Sequence, residues 1–386
     1  MKFIVLTSPT KIPCGVEAFA RQLEQTLSKN ADTPAVQLPV EGTRGDLARM
    51  WQGFRGADTL LLNLPVVAWK KHLGLPLLAL LFARLRRLHT VVVLHEWQDL
   101  NWARRGTYFL YLLLVETVIC SSPTVQSEFR QSLSARLIRF KLSLVPIPPN
   151  LRRTLPLTET PLSQKLAALR AQGRTIIGHF GSIYPRKQSI VILDLVAKLR
   201  ARNIDAFLVF IGSFIKGSDH LEQDFRARIH QLGLDDHVAV SGYVGTDAEI
   251  FGLFEQVDAF AYIFAEGLTA RRGSVLATLQ SGRPVFVNAP TNADEFDHHP
   301  SYQRLLASGT LKLMPHDADI AAYVEAIAAC DFTATGTCDV NFDLAWQDAA
   351  AAVLDAARTP SLASRLHLSL FGHPAKKRLK SRQMPR

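Results

Sequence analysis

Two patterns of apolar and polar positions alternate along the chain. Short unbroken apolar runs are typical of parallel strands covered on both faces, and they predict strands over residues 3–6, 59–62, 90–94 and 117–120. Between these runs the apolar positions recur with helical spacing, which predicts helices over 15–29, 73–87, 103–115 and 123–133. Strands that alternate with helices in this way indicate an α/β fold with parallel strands.

The alternation starts again after a stretch rich in proline and threonine. This stretch predicts a linker over residues 151–165. Beyond it we predict strands over 175–180, 206–211, 238–240, 259–262 and 284–287, and helices over 189–202, 221–232, 247–256 and 273–281. The predicted fold class is α/β, with two doubly wound Rossmann-like domains facing a central cleft. Their bounds are 1–150 and 166–345, followed by a C-terminal helix over 346–365 and a basic, disordered tail over 366–386.

Composition is consistent with two domains and adds a preference for anionic partners. The chain has 386 residues, of which 48% are hydrophobic, so each domain is able to bury its own core. Its formal net charge of +10 suits phosphates, acidic lipids or nucleic acid, and composition does not choose among them. The four cysteines form no CxxC pair and accompany no histidine cluster, so we predict neither a metal site nor a disulfide framework. The apolar run at the N-terminus is too short for a signal peptide.

Two longer apolar runs, 75–83 and 108–115, bear on membrane contact. Both fall short of the roughly 18 residues that span a bilayer. The first ends in Arg84, Arg86 and Arg87, and an apolar helix closed by arginines is able to lie flat on an anionic membrane. The alternative is a core helix with a solvated basic end, and the sequence leaves both open. The basic tail is a candidate accessory anchor.

Candidate chemistry lies in the loops after strands, because open α/β sheets bind ligands at the carboxyl ends of their strands. In the first such loop Gly15 opens a helix whose free N–H groups are able to meet an anion, although an ordinary connection fits equally well. His95 follows the strand over 90–94, with Glu96 and Asp99 as candidates to orient it. Catalytic and structural roles both remain open for this histidine.

Cations stand at a helix start where the peptide dipole disfavours them. Arg271 and Arg272 precede the predicted helix over 273–281, at an end that already carries about half a positive charge. A bound diphosphate would offset them, with the N–H groups of Gly273 and Ser274 as further donors. The alternative is a pair of solvated arginines. Glu266 is either the structural partner of these cations or a ligand of sugar hydroxyls.

A second loop repeats this pattern. After the strand over 175–180, Gly181 permits a sharp turn, and Arg186 and Lys187 then precede a helix. A doubly wound fold brings the two cationic loops to one sheet edge, so we expect them to bind a common polyanion.

Four segments together resemble the two-domain glycosyltransferases of the GT-B fold, most closely the group 1, family 4 type. The segments are HFGSIYPRKQSIVILDLVAKL, DAFLVFIGSF, HVAVSGYVGTDAEIFGLFEQVDAFAYIF and EGLTARRGSVLATLQSGRPVFV, and the resemblance covers about residues 1–360. It implies a C-terminal domain that holds a nucleotide-sugar and an N-terminal domain that holds the acceptor. It further implies that Lys187 contacts the donor diphosphate after the turn at Gly181, and that Gly15 and His95 lie near the transferred sugar. It implies metal independence, hence no cofactor.

The chain departs from the family pattern at two places. The family's arginine after the turn glycine is Ser182 here, and its two glutamates spaced eight apart correspond to Thr269 and Ala277. We interpret the chain as a divergent branch in which the segment Arg-Arg-Gly-Ser supplies the diphosphate cradle, with Arg271 or Arg272 in place of the lost arginine.

The expected function is transfer of a sugar from a nucleotide-sugar to a lipid-linked or polysaccharide acceptor in cell-surface polysaccharide synthesis. The protein would be cytoplasmic and peripheral at the inner face of the plasma membrane, where anionic lipid is a partner. The alternatives are a sugar-nucleotide epimerase on the same fold and a non-catalytic protein that binds polyanions or membrane. Nucleic acid is not an expected partner, because no aromatic-rich basic stripe is visible.

Overall fold

Two parallel six-stranded sheets, each covered on both faces, form the protein. The computed structural model describes residues 1–9, 14–66, 68–69, 72–98, 100–183, 188–214, 219–332 and 340–358. The two sheets confirm the predicted α/β class.

The first sheet has the strand order β2-β1-β3-β4-β5-β6. Its strands are β1 (Phe3–Thr7), β2 (Ala35–Pro39), β3 (Thr59–Leu64), β4 (His89–Leu94), β5 (Thr117–Cys120) and β6 (Lys141–Leu144). The helices are α1 (Gly15–Ser28), α2 (Arg44–Gly53), α3 (Gly74–Leu85), α4 (Trp102–Leu112), α5 (Pro123–Arg130) and α6 (Leu133–Leu137). Along β1, Ile4 and Leu6 join the core on one face, and Phe3 and Val5 join the core on the other. This division explains why the strand reads as a continuous apolar run.

The second sheet has the order β12-β11-β10-β7-β8-β9. Its strands are β7 (Thr175–Phe180), β8 (Ala206–Ile211), β9 (Val238–Val240), β10 (Ala259–Tyr262), β11 (Val285–Asn288) and β12 (Leu311–Met314). The helices of this half are α7 (Pro161–Ala171), α8 (Ser189–Ala201), α9 (Asp219–Gln231), α10 (Asp247–Phe254), α11 (Gly273–Leu279), α12 (Pro300–Ser308) and α13 (Ile320–Ala328).

Several predicted bounds differ from the structure. Helix α7 begins at Pro161, inside the stretch predicted as a linker, because Thr160 caps it. The predicted helix over 123–133 is wrong in extent: α5 ends at Arg130, and Ser132 caps the separate α6 by accepting the Ala135 N–H. Residues from 359 onward, including the predicted tail, lie outside the described residues.

The last helix, α14 (Phe342–Arg358), returns to the N-terminal sheet. It begins four positions before the predicted bound of 346. The indole N–H of Trp346 donates to Pro149 O at 3.0 Å, and the ring packs against Phe19 of α1 at 5.4 Å. A helix that follows the second sheet therefore completes the core of the first. Among the described residues, no helix combines the length and apolar character needed to cross a membrane.

Candidate functional site

A cleft of about 430 Å³ lies between the two sheets and is lined by half of the predicted site residues. Gly15 at the start of α1 and His95 after β4 line it from the N-terminal side. Arg271, Arg272 and Gly273 line it from the C-terminal side. Residues some 180 positions apart are thus brought together because both sheets present the carboxyl ends of their strands to the cleft.

A second cavity of about 460 Å³ adjoins this cleft. The two share Gly15, Asn150 and Gly273 as lining residues. The second cavity is walled by the loops after β7, β8 and β9 and by the start of α11, and its lining includes Gly181, Ser182, Gly212, Tyr243 and Ser274.

Glu266 forms ion pairs with the two arginines at the start of α11. Its carboxylate lies 3.5 Å from the Arg271 guanidinium and makes a short contact with that of Arg272. The guanidinium of Arg272 also lies 4.5 Å from the centre of the Phe264 ring. The side chains of Arg271 and Arg272 are 18% and 13% exposed, so the alternative of solvated arginines is wrong. The three charges sum to one positive charge at the cleft wall, and both ion pairs support the role of Glu266 as the structural partner of the arginines.

The backbone at the start of α11 offers fewer free donors than predicted. The Gly273 N–H donates to Arg271 O at 3.1 Å, so it is engaged within the loop in this conformation. Arg272, the residue before the helix, makes no side-chain cap bond. The Ser274 N–H meets no acceptor among the described residues and lines the second cavity.

His95 is a neutral side chain at the floor of the cleft. Burial, followed by the charge of Arg271, lowers its pKa to about 3. Its Nε2 lies 3.1 Å from Asn63 Oδ1, and its ring contacts Phe19 edge-on at 5.0 Å. Nε2–H donating to the amide oxygen leaves Nδ1 as an acceptor.

The residue that orients His95 differs from the predicted candidates. The contact comes from the buried Asn63 near the end of β3, the strand that pairs with β4, whereas Glu96 lines the cleft. Asp99 lies outside the described residues. Sequence spacing favoured neighbours of His95, and the pairing partner stands 32 positions away.

Glycines shape the second cavity where the predicted turn lies. Gly181 has φ +118°, a conformation that side chains rarely adopt, which confirms the predicted turn. Gly212 after β8 has φ +148°, and a Cβ there would lie 2.2 Å from Gly181 O. The loops after β7 and β8 therefore touch backbone to backbone. Arg186 and Lys187 fall outside the described residues, so the second cationic loop stays a prediction.

Arg104, Asn150 and Tyr243 are among the lining residues that were not found from the sequence. Arg104 lies in the first turn of α4, where Asn101 caps the helix by accepting its N–H at 2.9 Å. Asn150 borders both cavities. It ends the proline-rich crossover, residues 146–150, which leaves the first sheet after β6. Tyr243 follows β9 and is 73% exposed. In the sequence, these residues are marked only by lying in segments that follow a strand. Many other polar residues lie in such segments too.

No group of three or more His, Cys, Asp or Glu side chains suited to a metal ion occurs in the described ranges. Metal independence stays a prediction.

Residues 164–267 match the family model described as glycosyl transferases group 1. The sequence matches no curated protein. Among solved structures, HepE from Anabaena in complex with UDP is 16% identical, with 95% of this chain and 100% of that chain covered and a TM-score of 0.59. A glycosyltransferase from Rickettsia africae is 12% identical, with 95% and 97% covered and a TM-score of 0.58.

The N-terminal domain of trehalose-6-phosphate phosphatase from Candida albicans is 11% identical, with 92% and 98% covered and a TM-score of 0.64. Likeness at this level of identity establishes the fold, and one fold hosts several activities. The chain has the GT-B fold, and within it residues 164–267 are similar to the glycosyl transferases of group 1.

Proposed function

We propose that the protein transfers a hexose from a nucleotide-sugar donor to an acceptor. The observation that carries this proposal is the arginine loop, residues 266–273, at the junction of the two adjoining cavities. A donor that spans both cavities would place its diphosphate at that junction. Arg271 and Arg272 would meet it from one side, and the Ser274 N–H would add a donor.

The nucleotide would occupy the second cavity. Gly181 and Gly212 carry no side chain where the loops after β7 and β8 meet, which supports close approach of a ribose or phosphate to the backbone there. HepE, with the same fold, was crystallised with UDP and with UDP-glucose, which supports a nucleotide-sugar as the donor class.

The sugar would then lie in the cleft beside His95. The neutral imidazole is able to accept a hydroxyl hydrogen bond at Nδ1 without adding charge near the arginine loop. Departure of the nucleoside diphosphate develops negative charge, which the pre-positioned guanidinium groups would stabilise.

We propose further that the acceptor is lipid-linked or a polysaccharide, and that the protein acts as a peripheral protein at the cytoplasmic face of the plasma membrane in cell-surface polysaccharide synthesis. Helix α3 supports this in part. It buries Leu80 and Ala83 in the core but leaves Leu81 and Leu85 exposed at 41% and 63%, next to Arg84. Apolar side chains beside cations suit an anionic lipid surface.

Titration calorimetry with UDP and GDP tests the donor site. We expect one nucleotide to bind and Arg271→Ala and Arg272→Ala to weaken it at least about tenfold, the loss expected for one charge-assisted contact. Arg226→Ala, which removes an exposed ion pair with Glu222 on α9, is the matched control. Lys187→Ala tests the second loop in the same assay.

If neither UDP nor GDP binds, the alternative of a non-catalytic protein that binds polyanions or membrane is favoured. The internal neutralisation of the arginines by Glu266 is the observation on its side, since the loop does not require an external anion. Conversion of a nucleotide-sugar without any acceptor would point to the epimerase.

A further inference from the structure

A buried carboxylate joins the two domains behind the arginine loop. Glu295, between β11 and α12, has no exposed surface. Its Oε2 accepts hydrogen bonds from Thr124 N at 3.1 Å and from Thr124 Oγ1 at 2.6 Å. Its Oε1 accepts the Ala270 N–H at 2.9 Å. Thr124 belongs to the first turn of α5, 171 residues away in sequence, so one side chain bonds to both halves of the molecule.

The same carboxylate helps to fix the arginine loop. Glu295 holds the backbone at Ala270, and the buried Tyr302 donates its hydroxyl to Arg272 O at 3.3 Å. Arg271 lies between these two anchors and faces the cleft. The backbone is thus held on both sides of the residue whose guanidinium forms part of the cleft wall.

Separation of the domains would leave this carboxylate poorly satisfied. It would lose both Thr124 donors, including the 2.6 Å hydroxyl bond, and keep the Ala270 N–H as its bond to the C-terminal half. The first turn of α5 also favours an anion through its peptide dipole. A second contact of the same segment, His299 Nε2 to Ile147 O at 3.0 Å, reinforces the docked arrangement.

We propose that Glu295 is a positioning residue that couples docking of the N-terminal domain to the placement of Arg271 and Arg272. The coupling itself follows from the hydrogen bonds, and its consequence for sugar transfer rests on the proposed function. Nothing in the sequence indicates this role, because Asp294, Glu295 and Asp297 look alike as polar residues of a loop.

Hydrogen exchange of the full chain tests the coupling without any substrate. Thr124→Val keeps the branched shape but removes the 2.6 Å hydroxyl donor. We expect exchange in peptides covering 266–273 to rise at least about tenfold, the size expected from losing one hydrogen bond to a charged group. The control is Thr26→Val in α1, where the lost hydroxyl bond goes to Gln22 O within the same helix. Faster exchange confined to α5, with 266–273 unchanged, would overturn the proposal.

Glu295→Gln provides an independent variant with nearly the same shape. An amide has one acceptor oxygen, so it cannot accept from Thr124 and Ala270 through separate oxygens as the carboxylate does. We expect faster exchange at 266–273 in this variant as well. Unchanged exchange there in both variants would refute the coupling.

Turnover and nucleotide binding test the consequence for sugar transfer. With UDP-glucose as the probe, we expect both variants to lower kcat at least about tenfold and to weaken UDP binding as well, because displaced guanidinium groups would stabilise the diphosphate less. Unchanged kcat and unchanged UDP affinity in variants whose 266–273 segment exchanges faster would contradict this consequence. Failure of the unaltered protein to bind UDP or GDP would refute the proposed function, and the exchange experiment would still decide the coupling.

Discussion

His95 shows how a single buried contact determines the chemistry of a residue. Sequence alone left this histidine between catalytic and structural roles. Burial and the nearby Arg271 lower its pKa, and Asn63 engages one ring nitrogen, so the ring is neutral near pH 7. Neither effect is visible in the local sequence, because Asn63 comes from another strand and Arg271 from the other domain.

Asn63→Asp should reverse the charge preference of His95. A carboxylate about 3.1 Å from Nε2 would favour the imidazolium, so the pKa of His95 should rise by at least about one unit from its value of about 3. NMR titration of the ring signals, identified with His95→Gln, measures this shift. Asn63→Ala lacks the carboxylate and serves as the control. An equal titration curve in both variants would show that Asn63 does not set the state of the ring.

Glu266→Gln should separate the two roles considered for that carboxylate. Loss of the carboxylate leaves two positive charges where there was one, so UDP should bind as tightly or more tightly. Stability should fall by more than the roughly 1 kcal/mol typical of an exposed pair, because the side chains of Arg271 and Arg272 are only 18% and 13% exposed. Calorimetry and thermal unfolding measure both effects, with Glu222→Gln in the exposed α9 pair as the control. Loss of UDP binding would contradict the counter-ion role.

At the scale of elements, the sequence predicted the interior strands and missed most of the edges. Strands β2, β6 and β12 lie at sheet edges and were not predicted. Edge strands are less buried, so their sequences AVQLP, KLSL and LKLM mix polar with apolar residues and lack the continuous run that marks a central strand. The arginine loop was predicted as a functional segment because its charges conflict with a helix start. Glu295 was missed because its partners are set by domain docking.

Gly212→Ala tests the backbone contact that shapes the second cavity. The added Cβ would lie 2.2 Å from Gly181 O at a φ of +148°, so both sterics and conformation oppose it. We expect the free energy of unfolding to fall by about 2 kcal/mol or more, and UDP affinity to fall with it. The control is Gly74→Ala at the start of α3, where an added Cβ meets open space. Equal stability of the two variants in denaturant titrations would rule out the close contact.

At the scale of the whole molecule, the two domains share structural elements. Helix α14 follows the C-terminal sheet yet packs on the N-terminal core, with Trp346 against Phe19. The segment from Glu295 to His299 belongs to the C-terminal half yet bonds to α5 and to the crossover at Ile147. Periodicity could predict that α14 is a helix but not where it packs, because its apolar face fits any complementary core.

This shared interface makes stability depend on pH through buried histidines. Burial lowers the pKa of His299 to about 3, whereas the same side chain in the unfolded chain titrates near its ordinary value of 6.5. Between these values the unfolded state binds more protons, so stability is lost as pH falls from 6.5. The loss approaches about 1.4 kcal/mol per pH unit for one such group.

His299→Gln isolates that contribution. Glutamine retains an N–H that is able to donate to Ile147 O but does not titrate, so the slope of unfolding free energy between pH 6.5 and 4.5 should decrease by up to about 1.4 kcal/mol per unit. Burial also lowers the pKa of His95 and raises the pKa of Glu17. Both groups are present in the wild-type protein and in the variant, so their contributions cancel in the difference between the two slopes. Denaturant titrations across this range measure the slopes. Parallel slopes would mean that His299 is protonated in the folded protein, and would place the segment from Glu295 to His299 in a looser contact with the N-terminal domain than its hydrogen bonds imply.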